Sequence, residues 1–273
     1  MVTAAQKESS ASAVGPWTEA ARGQKGLVVL LLAIAAGGWW WTVDKMAGMD
    51  NGPWTGLGRV GWFVGVWVVM MAAMMLPSVT PTIALYGRMA QDRTRSAPLV
   101  FASGYLVTWA VTGLLAFAVA AIGRGVGGNV LAWNRAGRWA AGATLLLAAA
   151  YQLSPLKDVC LGKCRSPLGF MLGSWRDGLD GAFRMGMKHG VWCVGCCWAL
   201  MASLFALGVM SIGWMAFIGV LIALEKMLPW RRVATVGIVA LLLALGVLLL
   251  TDPGVIPGLT IPHPAMSMSR MTM

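Results

Sequence analysis

Seven apolar stretches, each near the ~20 residues a helix needs to cross a bilayer, dominate this chain. They run over about 26–43, 60–78, 98–122 and 137–153, then through one long apolar span of 189–228, and last over 233–251. The long span reads as two helices, because LGVMSIGW sets Gly208 and Gly213 around a tight turn. No water is available inside a bilayer to satisfy backbone N–H and C=O groups, so such runs fold as helices. The expected fold class is all-α: a polytopic transmembrane helix bundle of about seven helices. Composition argues against reading the runs as core helices of a soluble domain. Charged residues are 11% of the 273, and hydrophobic ones 58%, where a soluble domain carries roughly a quarter charged. The tryptophan triplet Trp39 to Trp41 closes the first run, as an interfacial belt would.

Three regions follow. Residues 1–25 are expected to be a disordered cytoplasmic tail, 26–251 the bundle, and 252–273 a tail bearing methionine and histidine. No small-residue cleavage motif follows the first apolar run closely, so it is not read as a signal peptide. Segment 154–188 is the one long connection, amphipathic, glycine-rich and basic, and is expected to form short helices at the cytoplasmic interface. Two prolines, Pro77 and Pro81, are expected to kink or end the second helix. No internal repeat of the kind common in secondary transporters is visible.

The net charge of +11 comes from lysines and arginines fringing the apolar runs. It marks a lipid bilayer as partner, not nucleic acid. With a cytoplasmic N-terminus and seven crossings, 15 of the 21 lysines and arginines fall on the cytoplasmic side. The positive-inside rule then puts the N-terminus inside and the C-terminus outside a plasma membrane, as expected of a multi-pass chain.

Five cysteines fall in two neighbouring groups. In HGVWCVGCCW, His189, Cys193, Cys196 and Cys197 share an arc of about 100° on one helical face. Just upstream, Cys160 and Cys164 are spaced i, i+4. Thiolates with an imidazole suit a soft or borderline ion, Cu(I) first and Zn(II) second. The neighbouring Lys157, Lys163, Arg165 and Lys188 are expected to lower the thiol pKa values and favour the ligand form. The competing reading is that these cysteines are small packing residues.

Met70, Met71, Met74 and Met75 cover about 140° of the second helix. They are either adaptable core filler or thioether ligands that bind Cu(I) without releasing protons. The C-terminal run carries His263, Met266, Met268, Met271 and Met273, and packing does not account for methionines in so polar a tail. Such a tail fits copper capture in an oxidising compartment, with Met46, Met49 and Asp50 on the same side. Glu225 in LIALEKML has either a polar role in the membrane or a pairing with Lys226 or Arg231. Tyr105 and Trp109 read as packing. With no Walker loop, Rossmann glycine pattern or serine-hydrolase elbow, no catalytic residue is assigned.

The stretches AAMMLPSVTP, GYLVTW, YQLSPLKDVCLGKCRSPLGF, RMGMKHGVWCVGCCWALM and ALEKMLPW together resemble a bacterial metal-binding integral membrane protein family. It is a domain of unknown function, in which some members carry the label copper chaperone. The resemblance spans about residues 60 to 250. It implies a metal role for Met70, Met71, Met74, Met75, Cys160, Cys164, His189, Cys193, Cys196 and Cys197, and carries over Pro77, Glu225 and Lys226. Three functions are open at this point. The first is binding, transfer or transport of Cu(I), with a metallochaperone or metalloenzyme as partner. The second is a structural or accessory subunit of a larger membrane complex, with a cysteine metal site. The third is a membrane thiol–disulfide oxidoreductase.

Overall fold

The computed structural model describes residues 24–46, 59–90, 96–127, 137–207, 211–228 and 230–252. Within them the chain is all-helical. In order come α1 (Lys25–Met46), α2 (Val60–Met89), α3 (Ala97–Gly127), α4 (Arg138–Gln152), α5 (Pro155–Arg165), α6 (Pro167–Ser174), α7 (Gly178–Leu207), α8 (Ile212–Met227) and α9 (Arg231–Thr251). Each of the seven apolar stretches is a helix. Four of these, α1, α2, α3 and α9, are long and apolar enough to cross a membrane. Helices α4 and α8, with 15 and 16 residues, span only ~22–24 Å at 1.5 Å per residue, short of the ~30 Å hydrocarbon core. Helix α7 has 30 residues but carries Asp180, Arg184 and Lys188 in its first half.

Two expectations need correction. Helix α2 neither ends nor breaks at Pro77; it continues through Pro81 to Met89. A proline at position 77 has no N–H to offer the carbonyl four residues back, which is that of Ala73. The indole Nε1 of Trp39 on α1 donates to that same carbonyl at 3.1 Å. Hydroxyls stitch the next turn, Ser78 Oγ to the Met75 carbonyl at 2.9 Å and Thr80 Oγ1 to that of Leu76 at 2.7 Å. Gly38 makes the approach of α1 to α2 possible, since a Cβ there would stand 3.2 Å from the Ala73 Cβ.

The second correction concerns the connection 154–188. Its first part forms the short helices α5 and α6, but residues 178–188 belong to the first turns of α7. Gly178, at φ +79°, turns the chain into that helix. An ion pair between Arg184 and Asp180 at 2.9 Å and a bond from Lys188 Nζ to Ser174 Oγ at 2.9 Å partner charges that read from the sequence as an interfacial segment.

The described residues fall into two compact units. One is drawn from Met1–Trp41, Val64–Gly113 and Pro155–Cys196, the other from Thr42–Phe63, Leu114–Ser154 and Cys197–Met273. In the first unit, α3 and α7 meet backbone to backbone. A Cβ on Gly104 would overlap the Phe183 carbonyl, and one on Gly186 the Phe101 carbonyl. Thr108 Oγ1 lies 3.2 Å from both the Gly104 and Met187 carbonyls and bridges the two helices. Small residues at such a crossing let helices associate where lipid removes the hydrophobic drive. In the second unit, α4 packs along α9, with Gly142 against Leu250 and Gly246 against Leu146. Large apolar side chains such as Val29 and Ile34 on α1 and Val233 and Val236 on α9 stand exposed. Surfaces of that kind suit hydrocarbon surroundings.

Candidate metal centre

Helix α7 repeats every 3.6 residues, so Cys193, Cys196 and Cys197 project from adjacent turns of one face. All three are buried, and their Sγ atoms lie within 4.8 Å of one another. Burial of three thiols in one arc follows from the local sequence: Val191 and Trp198 on other arcs are exposed. Among the described residues, every cysteine is a free thiol.

The α5 thiols come to the same place. Cys164 Sγ is 3.8 Å from Cys196 Sγ, and it also hydrogen-bonds the Cys193 thiol. Four thiolates around one ion at ~2.3 Å stand about 3.8 Å apart, so the Cys164–Cys196 separation already matches that of two sulfurs on one metal. Cys160 faces the gap left by Gly195, where a Cβ would stand 2.8 Å from its Sγ. Gly195 therefore lets α5 approach α7 closely, and Cys164 comes within 3.8 Å of Cys196. A donor set of soft sulfur atoms, buried and clustered, fits Cu(I).

The charge environment differs from the one expected. Hydrogen bonds to the Cys193 and Cys196 thiols, then burial, push the Cys164 thiol well above the usual range. Burial, and then the nearby Cys196, raise that of Cys160. Burial and the neighbouring thiols, not the surrounding lysines and arginines, set the direction of these shifts. Without metal the α5 pair is protonated at neutral pH.

The remaining candidates are placed as follows. His189 is buried one turn before Cys193 and lies among aromatic rings, with centroids 5.0 Å from Phe170, 6.0 Å from Phe101 and 6.2 Å from Tyr105. It is not one of the three groups that converge within 4.8 Å. Met70, Met71, Met74 and Met75 are all buried along α2. Glu225 is buried on α8. His263, Met266, Met268, Met271 and Met273, with Met49 and Asp50, lie outside the described residues.

Tyr105 was expected only to pack. Its ring is fully buried, but its hydroxyl lies 3.1 Å from the Cys193 sulfur. Tyr105 and Cys193 are 88 positions apart on different helices, so no local pattern could have paired them.

A family model described as PpoB2, copper chaperone, matches residues 64–249, more than half of the chain. The match covers both cysteine groups and the four methionines and leaves out α1 and both termini. No curated protein and no solved structure matches the chain.

Proposed function

Taking as premise that the chain belongs to the PpoB2 copper chaperone family, we propose that it is a membrane protein that holds Cu(I) on thiols of α5 and α7 and passes it to a partner by ligand exchange. The observation that carries this reading is the gathering of buried thiols around Cys196. Thiolate exchange on Cu(I) is an associative swap of one soft ligand for another, so a cluster richer in sulfur than the ion needs lends itself to handover. Residence in a bacterial inner membrane, with the N-terminus cytoplasmic, is proposed from the four helices long and apolar enough to span, from the charge bias counted over seven crossings, and from the family resemblance. The buried methionines of α2 and the C-terminal methionines with His263 supply further soft donors along that route. Zn(II) is the lesser alternative, because the family match names copper.

Loading the detergent-purified protein with Cu(I) under anaerobic conditions tests this. The expected result is stoichiometric copper in the wild type and a strong loss in the double variant Cys193→Ser, Cys196→Ser. Equal copper in the two proteins overturns the assignment. The close Cys164–Cys196 pair favours a thiol–disulfide role as the second reading. Labelling with an impermeant thiol reagent separates the two: outer-side access to Cys164 supports redox exchange, cytoplasmic access supports copper.

A further inference from the structure

The contact between Tyr105 and Cys193 joins a hydroxyl to a sulfur of the cluster. Both groups are buried, at 0% and 1% exposure, and the oxygen and sulfur are 3.1 Å apart. A tyrosine is held there by more than its ring packing. The backbone contact of Gly104 with Phe183, and of Gly186 with Phe101, fixes α3 against α7 on either side of it. The bridge from Thr108 Oγ1 to the Met187 carbonyl fixes the register. The Tyr105 ring in turn stands beside His189, so the phenol cannot swing away without displacing a packed neighbour.

We propose that Tyr105 is the positioning residue of the copper site, its hydroxyl aiming the Cys193 sulfur into the cluster and stabilising it as a thiolate when metal is held. This rests on the copper reading above. With the thiol protonated, either atom can donate. Once the sulfur is bound as thiolate it has no proton, so the direction is set: the phenol O–H donates and the sulfur accepts. A charge-assisted bond of that kind is stronger than a neutral one. It matters most in a buried cluster whose thiolates bring net negative charge away from water. Outer-shell partners of this type commonly tune metal affinity by about 10–100-fold.

The test is Tyr105→Phe in the full-length protein, which keeps the ring and removes only the hydroxyl. In the metal-free protein, infrared difference spectra against Cys193→Ser isolate the Cys193 S–H stretch. That band is expected at higher frequency in Tyr105→Phe, because the hydrogen bond that softens it is gone. In the Cu(I)-loaded protein the thiolate-to-copper charge-transfer band moves to lower energy, since the sulfur lone pairs lose a stabilising donor. Affinity against a Cu(I)-specific chelator falls about 10-fold or more. Val107→Ala, on an exposed arc of the same helix, is the packing control and leaves the S–H and charge-transfer bands in place. Should Tyr105→Phe fail to fold, a fluorotyrosine at position 105, a stronger donor to the thiolate, shifts the charge-transfer band to higher energy. Unchanged bands and affinity in a variant that still loads copper overturn the role of Tyr105. A wild type that binds no Cu(I) overturns the copper reading instead.

Discussion

At the scale of single residues, the thiols set the chemistry. Their protonation has a definite consequence for pH. Cys160 and Cys164 have raised pKa values, so copper must displace protons to bind. Affinity for Cu(I) should therefore rise with pH through the neutral and alkaline range, by up to about 10-fold per unit for each proton released. Titration of proton release on metal addition in weak buffer measures this directly; no release would contradict it. The same shifts act on the metal-free fold with the opposite sign. A thiol raised above its unfolded value of about 8.5 favours the folded state below that pH. The contribution is lost as pH rises toward the folded value, so thermal unfolding of the metal-free protein should move to lower temperature in alkali. The helical projection of His189 to Trp198 was enough to gather Cys193, Cys196 and Cys197 on one face, because their spacing is local. The role of Tyr105 and the raised thiol pKa values were not legible. Both depend on which side chains meet across helices, and charges nearby in sequence were a poor guide to charges nearby in space.

At the scale of helices, two joints hold the first unit. One is the α1–α2 joint, where Trp39 satisfies the carbonyl that Pro77 leaves open. Trp39→Phe removes that donor and leaves a carbonyl unpaired, which should cost about 1–3 kcal/mol. Circular-dichroism melts in detergent check the size; a Pro77→Ala background, which restores the helical N–H, should absorb most of the loss. The other joint is the α3–α7 crossing. Gly186→Ala drives a methyl into the Phe101 carbonyl and should destabilise by about 1–3 kcal/mol or more, as overpacking does. Gly162→Ala on α5 meets nothing within 4 Å and serves as the neutral comparison. The apolar runs gave away seven of the nine helices among the described residues, since hydropathy over about 20 residues is a strong signal, and the amphipathic connection gave α5 and α6. Where α2 ends and where α7 begins were misjudged for one reason. A proline and a charged turn look like breaks until a partner from another helix, Trp39 or Ser174, supplies what they lack.

At the scale of the whole molecule, the fold class was readable from the apolar runs, but their lengths were not equivalent. Among the described residues four helices reach bilayer length and apolarity, because α4 and α8 are a turn or more too short and α7 begins among charges. The proposed orientation depends on an odd number of crossings, so tags on the two termini should be protected on opposite sides of sealed vesicles. Protection on the same side would rule out seven crossings. Ligand binding should also act on the whole fold: Cu(I) in 100-fold excess over its dissociation constant stabilises by about 2.7 kcal/mol. The Cys193→Ser, Cys196→Ser variant should show no such rise in melting temperature. The α3–α7 crossing carries one more consequence, a mechanical one. Glycine-sized gaps filled by carbonyls leave α7 no room to slide or roll against α3, so its cysteines form a fixed jaw. The opposing sulfurs, Cys160 and Cys164, ride on an 11-residue helix that begins at Pro155 and is followed by Pro167. Any opening that lets an incoming ligand reach the ion must then be made by α5, the shorter jaw, while α7 keeps its grip.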